Sequence, residues 1–283
     1  MSANAMQTAA EFVQNLAGDL NKGDLELPMF PDSVIRIQQE LRAEDIDINN
    51  VVRIISSDPA LAARILQLSN AAAMRGAAEI TDVRQAVVRV GARLVQSSAV
   101  AFAIRQAEKS EGLSRESKEA LREIWDESVE LAARCYVICT KYTKLNANEG
   151  LLTGLLSVLG RLYIFMKSQD YQGLTYTELD SILADWHPAI CKAIAESWNL
   201  SDDIVNALET QLETNLALRG KASLAEVLSA ARLILHHQAS NTPLAASDYP
   251  LLRRLGIAND GDGSLTLDQH AAMIDVIRQG LKG

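Results

Sequence analysis

The stretch Ile54-Ile55-Ser56-Ser57-Asp58-Pro59-Ala60-Leu61-Ala62-Ala63-Arg64-Ile65-Leu66, followed by Leu68-Ser69-Asn70, reads as one helix ending and another beginning. The Asp58 side chain can accept backbone N–H bonds as an N-cap. Pro59 at the first helical position forfeits only a donor that had no partner. Leu61, Ile65 and Leu68 then fall on one stripe at helical spacing, and Ile48, Val51, Val52 and Ile55 mark the helix before it. The same grammar continues on both sides. Upstream, a first helix is expected from about Ala5 to Leu20. Leu27-Pro28-Met29-Phe30-Pro31 is a stiff extended entry, because each proline restricts its predecessor. Asp32 or Ser33 then caps a helix with Val34, Ile37 and Leu41 inward. Downstream, Met74-Arg75-Gly76 reads as a loop, and Thr81 or Asp82 opens a helix with Ala86, Val87 and Val90 inward. Gly91 marks a break or a close packing point before a small-residue helix from Val95 to Ala107.

Composition agrees with this helical reading. The chain has 283 residues, 48% hydrophobic and only 5% aromatic, and its 15 glycines and 6 prolines are few for its length. An all-β protein needs more turn residues and strand formers. No period-2 strand, internal repeat or low-complexity tract stands out, so the fold class is all-α. Lys and Arg total 27 against 36 Asp and Glu, a net charge of -9. That balance disfavours nucleic-acid binding, which needs a net basic face. Arg84, Arg89 and Arg93 around Gly91 read as a solvated face rather than a DNA-reading surface. The first ten residues carry no basic residue and no apolar stretch, unlike a secretory signal. No apolar run reads as a membrane span, and three cysteines without paired spacing fit a reducing, cytoplasmic setting.

A change to Lys, Glu, Ser and Gly around Lys109-Ser110-Glu111-Gly112 marks a boundary. It divides an N-terminal helical subdomain, residues 1–110, from a second helical subdomain, residues 111–240, with a C-terminal extension over 241–283. The first 110 residues carry a net charge of -2 and the rest -7. Helices are expected over about 115–142, 147–168, 175–184, 187–198, 201–215, 221–239 and 266–281.

Familiar chemistry is scarce. The sequence holds no G-x-S-x-G, no G-x-x-x-x-G-K and no G-x-G-x-x-G, so neither a nucleophile elbow nor a phosphate-cradling loop is signalled. Asn259-Asp260-Gly261-Asp262-Gly263 resembles a calcium loop. Aligned that way, it has Ala258 where the first carboxylate belongs and Gln269 where the bidentate one belongs, so it reads as a polar loop. Cys135 with Cys139, and His187 with Cys191, are each four apart on one helix face. They could hold zinc, but free cysteine among apolar residues is ordinarily a small buried hydrophobe. His236-His237 suits the C-terminal end of a helix.

Taken together, the block Ile54 to Asn70, the preceding Leu27 to Pro31 and the following Ile80-Thr81-Asp82-Val83 and Ala86 to Gly91 resemble the opening of the HDOD domain, the HD-related output domain of bacterial signalling proteins. Ile124 to Ser128, Gly154 to Leu162 and Trp186-His187-Pro188 continue the likeness in order. It starts near residue 25 and extends to about residue 235. The parent HD superfamily are metal-dependent phosphohydrolases, whose ligands are a His, a His-Asp pair and a distal Asp. The resemblance places these at Glu127, at Ser157 and Val158, and near Ala230 or Ala231. A later His used by some members falls on His187. Val158 and Ala230 have no donor atom, and Ser157 is a poor ligand.

The resemblance therefore implies a degenerate HD-like helical bundle beneath the N-terminal subdomain, with no catalytic residues, no cofactor and no metal, His187 being the one retained candidate ligand. It implies a non-enzymatic regulatory protein of bacterial signal transduction. The expected partner is a signalling protein bound through the N-terminal subdomain, with a nucleotide as candidate ligand of the old cleft. Two alternatives stay open: a phosphohydrolase with an atypical metal site, and a nucleotide-sensing binding protein. His187-Pro188 reads as a helix start, and Glu127 as a salt-bridged or solvated helix residue.

Overall fold

The computed structural model describes residues 3–22, 25, 31–41, 45–70, 80–109, 114–171, 174, 176–213, 216, 218, 220–240, 249–258 and 265–282. Its helices, in order, are α1 (Ala3–Lys22), α2 (Asp32–Leu41), α3 (Ile48–Ser56), α4 (Pro59–Asn70), α5 (Val83–Val90), α6 (Ala92–Lys109), α7 (Arg115–Tyr142), α8 (Ala147–Leu156), α9 (Leu159–Ser168), α10 (Tyr176–Ser197), α11 (Asp202–Glu209), α12 (Leu224–Ser240), α13 (Tyr249–Arg254) and α14 (Ala271–Lys282). A 3-10 turn over Thr266–His270 leads into α14. Among the described residues the β pairing is a single isolated antiparallel bridge, Ala258 with Leu265. The all-α class is thus observed.

Capping residues set the geometry of α2 to α5. The Asp58 carboxylate accepts the Ala60 and Leu61 amides, both at 3.1 Å, as expected of an N-cap before Pro59. Its other oxygen accepts the Ser33 hydroxyl at 2.8 Å, which pins the start of α2 to the start of α4. Ser33 therefore ties two helices together, and the Pro31 carbonyl takes the first amides of α2. Asn70 closes α4 with two bonds to one backbone position: its amide donates to the Ile80 carbonyl at 2.7 Å and its oxygen accepts the Ile80 N–H at 2.9 Å. Asp82 caps α5 through the Gln85 amide at 2.9 Å. Gly91 has φ +82°, and a side chain there would meet nothing within 4 Å. It is a break made possible by the left-handed backbone region, not a packing point.

The inward stripes named above, from Val34 to Val90, are buried, with Ile48 and Val52 half-buried against them. Helix α6 packs on α2, α4 and α5 and also on α7 and α8, so the apolar core runs on from the first half of the chain into the second. Gln38 and Gln96 form a buried amide pair between α2 and α6 at 2.7 Å. Helix α1 reaches across to the second half. It packs on α10, and Asp19 accepts the Tyr163 hydroxyl at 2.7 Å and pairs with Lys167 at 3.2 Å.

Helices α7 and α8 pack backbone against backbone. A Cβ on Gly154 would come within 2.4 Å of the Ala132 Cα, and one on Gly150 within 3.0 Å of the Cys135 carbonyl oxygen. The stretch Ala147–Ser168 is long and apolar enough to cross a membrane by length and composition, yet 83% of its most apolar window is buried inside the fold.

Several boundaries differ from the sequence reading. The helix expected over 147–168 breaks at Ser157-Val158, where the Ser157 hydroxyl turns back onto the Gly154 carbonyl at 2.8 Å. His187-Pro188 does not start a helix: Pro188 lies inside the continuous α10. Proline removes one helical hydrogen bond, but Ile190, Cys191 and Ile194 are buried on the far side of it, and that packing carries the helix through. Helix α11 ends at Glu209 rather than 215, and α13 was not expected. The boundary near Ser110, the Met74-Arg75-Gly76 loop, the Leu27 to Phe30 entry and the loop at Asn259 to Gly263 lie outside the described residues.

Candidate functional site

The break between α8 and α9 frees the Ser157 carbonyl from the helical ladder, and three side chains converge on it. His187 Nε2, from α10, lies 2.7 Å away. Arg232 Nη2, from α12, donates to it at 3.3 Å. The Cys191 thiol approaches at 3.6 Å. A carbonyl only accepts, so His187 holds its proton on Nε2. Burial, and then the nearby Arg232, pull the His187 pKa down to about 3, against the smaller opposing effect of the carbonyl bond. His187 is a neutral, buried donor. Close approach of α9 to α10 makes this possible, because a Cβ on Gly160 would lie 2.2 Å from the His187 carbonyl oxygen.

Beside it lies an ion cluster. Glu127, from α7, pairs with Arg161 of α9 and with Arg232 at 3.4 Å. Arg232 also donates to Gln211 Oε1 at 2.6 Å. The side chains of Glu127 and Arg232 are 24% and 18% exposed, so solvent screens them only in part. Burial pulls the Arg232 pKa below its ordinary value, and Glu127 counters this.

The structure brings Glu127, Ser157 and His187 together around Arg232, with Val158 and Ala230 close to them in the chain, but the set does not fit a metal ion. Val158 and Ala230 are wholly buried and offer no donor atom. His187 Nε2 is committed to a carbonyl, Glu127 is shared between two guanidinium groups, and a dication would sit against Arg232. Among the described residues no group of three or more His, Cys, Asp or Glu could hold a metal. Cys135, Cys139 and Cys191 are free and buried. Burial raises all three thiol pKa values, that of Cys139 to about 12 and of Cys191 to about 11.

Arg161, Gln211 and Arg232 were missed in the sequence. The signal for two of them was there: Arg161 and Arg232 are lone charges inside apolar runs, a pattern that calls for a buried partner. On the solvent side of the cluster opens a cleft of about 850 Å³, walled by α7, α12, α13 and the segment after α11.

The sequence model of the HDOD domain matches residues 27–214. The chain belongs to the HDOD family. The HDOD match begins at Leu27, near the expected start, and ends short of α12, so Arg232 lies beyond it. Among solved structures, a provisionally assigned metal-dependent phosphohydrolase from Shewanella amazonensis SB2B is 21% identical, with a TM-score of 0.71 over 97% of this chain and 99% of that one. An HDOD domain protein of unknown function from Geobacter sulfurreducens is 21% identical, with a TM-score of 0.57 over 98% of this chain and 97% of that one. These likenesses concern the fold. An uncharacterized protein of Treponema pallidum (strain Nichols) is 25% identical over 200 residues, which span 65% of this chain and 37% of that protein.

Proposed function

We propose that this HDOD chain is a regulatory protein of bacterial signal transduction that works through protein contacts and turns over no substrate. The observation that carries this reading is the replacement of a metal-binding centre by an internal one. Arg232 supplies the positive charge among Glu127, Ser157 and His187, and hydrogen bonds fix it there. Phosphoester hydrolysis in the parent superfamily depends on a metal that activates water, and here the retained histidine is turned into a structural donor.

The contact surface proposed for a signalling partner is on the N-terminal helices. Ile35, Ile46 and Val88 are exposed there, Val88 at 68%. A reducing, cytoplasmic setting belongs to the same proposal, in keeping with three free thiols. Cross-linking in cells of the native host, followed by mass spectrometry, tests the surface: partner cross-links should fall on α2 to α5 and be lost in Val88→Asp. Cross-links confined to α10 to α14 would refute that assignment. The non-enzymatic part fails if purified protein given Mn, Fe, Zn or Mg hydrolyses a phosphoester and Glu127→Gln abolishes that turnover.

A further inference from the structure

The last helix shows, within the chain, what the acids of α7 can hold. Helix α14 packs on α7 and buries an apolar stripe of Ile274, Ile277 and Leu281. Two cations one turn apart on it meet two carboxylates one turn apart on α7: Arg278 reaches Glu130 at 2.9 Å and Lys282 reaches Asp126 at 2.5 Å. An amphipathic helix with a basic flank is thus already seated against these acids. Asp126 and Glu130 also line the cleft of about 850 Å³ beside the ion cluster, and among the described residues no part of α14 lines it.

The cleft offers the same two components again. Asp126, Glu127, Glu130 and Glu213 line it, against the single guanidinium of Arg232, which Glu127 already pairs. The cations that answer Asp126 and Glu130, namely Lys282, Arg278 and Arg134, are not among the lining residues. Glu213 is exposed, and among the described residues it has no ion pair. Beside these carboxylates runs an apolar wall, with Leu212 and Leu216 from the segment after α11 and Leu233 and Leu235 from α12. Leu212 is 47% exposed. Leucines left partly in water along one acidic cleft make a surface complementary to an apolar stripe flanked by cations.

We infer that this cleft is the docking groove for a basic amphipathic helix of a partner protein. Apolar side chains of that helix lie on the leucine wall, and a Lys or Arg beside them pairs with Glu213, as Arg278 and Lys282 of α14 pair with α7. Helix-in-groove recognition of this kind sets anchors at helical spacing. A nucleotide does not suit the lining: its phosphates would meet the carboxylates, and no Phe, Tyr or Trp among the lining residues offers a face for a base. The inference adds a second contact to the one proposed on α2 to α5 and rests on the reading of the chain as a protein-binding regulator. Its test uses purified protein, so failure here would leave cross-links on α2 to α5 standing, and the reverse.

The probe is a short fluorescent peptide of leucine and lysine patterned as an amphipathic helix, titrated with the full chain and followed by anisotropy. One peptide should bind per chain. A peptide with glutamate in place of lysine should be at least tenfold weaker, and so should a leucine–lysine peptide of the same composition with no apolar face. Glu213→Lys and Leu212→Ser alter exposed residues, so both should fold, and each should weaken binding at least fivefold. Asp185→Lys makes the same charge change at an exposed position of α10 that does not line the cleft, and should stay within twofold of wild type. Equal binding of the glutamate or the unpatterned peptide would overturn the inference. So would an equal loss in Asp185→Lys, which would mean attraction to net charge alone, or binding untouched by Leu212→Ser, which would place the peptide elsewhere.

Discussion

The N-terminal helices and the centre at Glu127 use polar side chains in opposite ways. In α2 to α5 the caps work close to home, although Asp58 also reaches back to Ser33 and Gln38 pairs with Gln96. Asp58 and Asp82 cap the helices that follow them, and Asn70 bonds to Ile80 only ten residues on. Around Glu127 the polar partners come from α7, α9, α10, α12 and the segment after α11, up to 105 residues apart in sequence. Short-range caps make a scaffold whose parts fail singly. A long-range cluster makes a centre whose members depend on one another, so their substitutions should be non-additive.

The sharpest way to probe this difference is at the helix contact on which the long-range centre is hung. Gly154→Ala would drive a methyl group into the Ala132 backbone, where no flexible side chain can give way. It should cost about 3 kcal/mol or more by chemical denaturation, and a loss under 1 kcal/mol would mean that α7 and α8 separate easily. Next in size is the cluster itself. Glu127→Gln leaves Arg161 and Arg232 facing each other, with an expected loss of about 2–4 kcal/mol. Arg232→Met leaves Glu127 still paired with Arg161, so it should cost less than Glu127→Gln. The double variant should cost clearly less than the sum, and strict additivity would break the contrast drawn above.

The third effect depends on pH. His187 has a folded pKa of about 3 against an ordinary value of 6.5. Between those values the unfolded chain takes up a proton that the folded chain refuses, so stability rises with pH through this window. The contribution is complete above pH 6.5 and is lost as pH falls towards 3. From pH 6.5 to 5 the loss should be about 2 kcal/mol. Comparing the pH dependence of denaturation midpoints in wild type and His187→Gln checks it: the variant should lose this part of the slope, and an unchanged slope would put His187 in contact with solvent. The smallest effect belongs to the local caps. Asn70→Ala removes two bonds to Ile80 and should cost about 1–2 kcal/mol, with no coupling to Glu127→Gln in a double-mutant cycle.

The same contrast explains what could be read from the sequence. Asp58-Pro59 and Asp82 were legible because a cap is written within three residues of the backbone it serves. Helix α7 was legible because apolar residues recur at helical spacing from Leu121 to Cys139 within it. The centre was legible only in part. The resemblance singled out Glu127, Ser157 and His187, which the fold brings together, but it asked what their side chains could hold. At Ser157 the working group is the backbone carbonyl, which any residue would supply, and no residue type announces it. His187 was visible as a survivor but not as a donor, since its role depends on a helix break 30 residues away. The break itself escaped notice because the run from Leu151 to Met166 has helical composition throughout. Pro188 misled for the opposite reason: local propensity argued for a start, and tertiary packing overrode it.

Gly150 and Gly154 bring α7 and α8 together at the backbone, so the pair cannot slide or re-rotamer past itself as side-chain contacts can. The two helices work as a rigid axle. With α6 bearing on both of them from the N-terminal side, and α12 on both from the cleft side, a displacement imposed at one end reaches the other without slack. Under the regulatory role proposed above, that stiffness would itself be the working part.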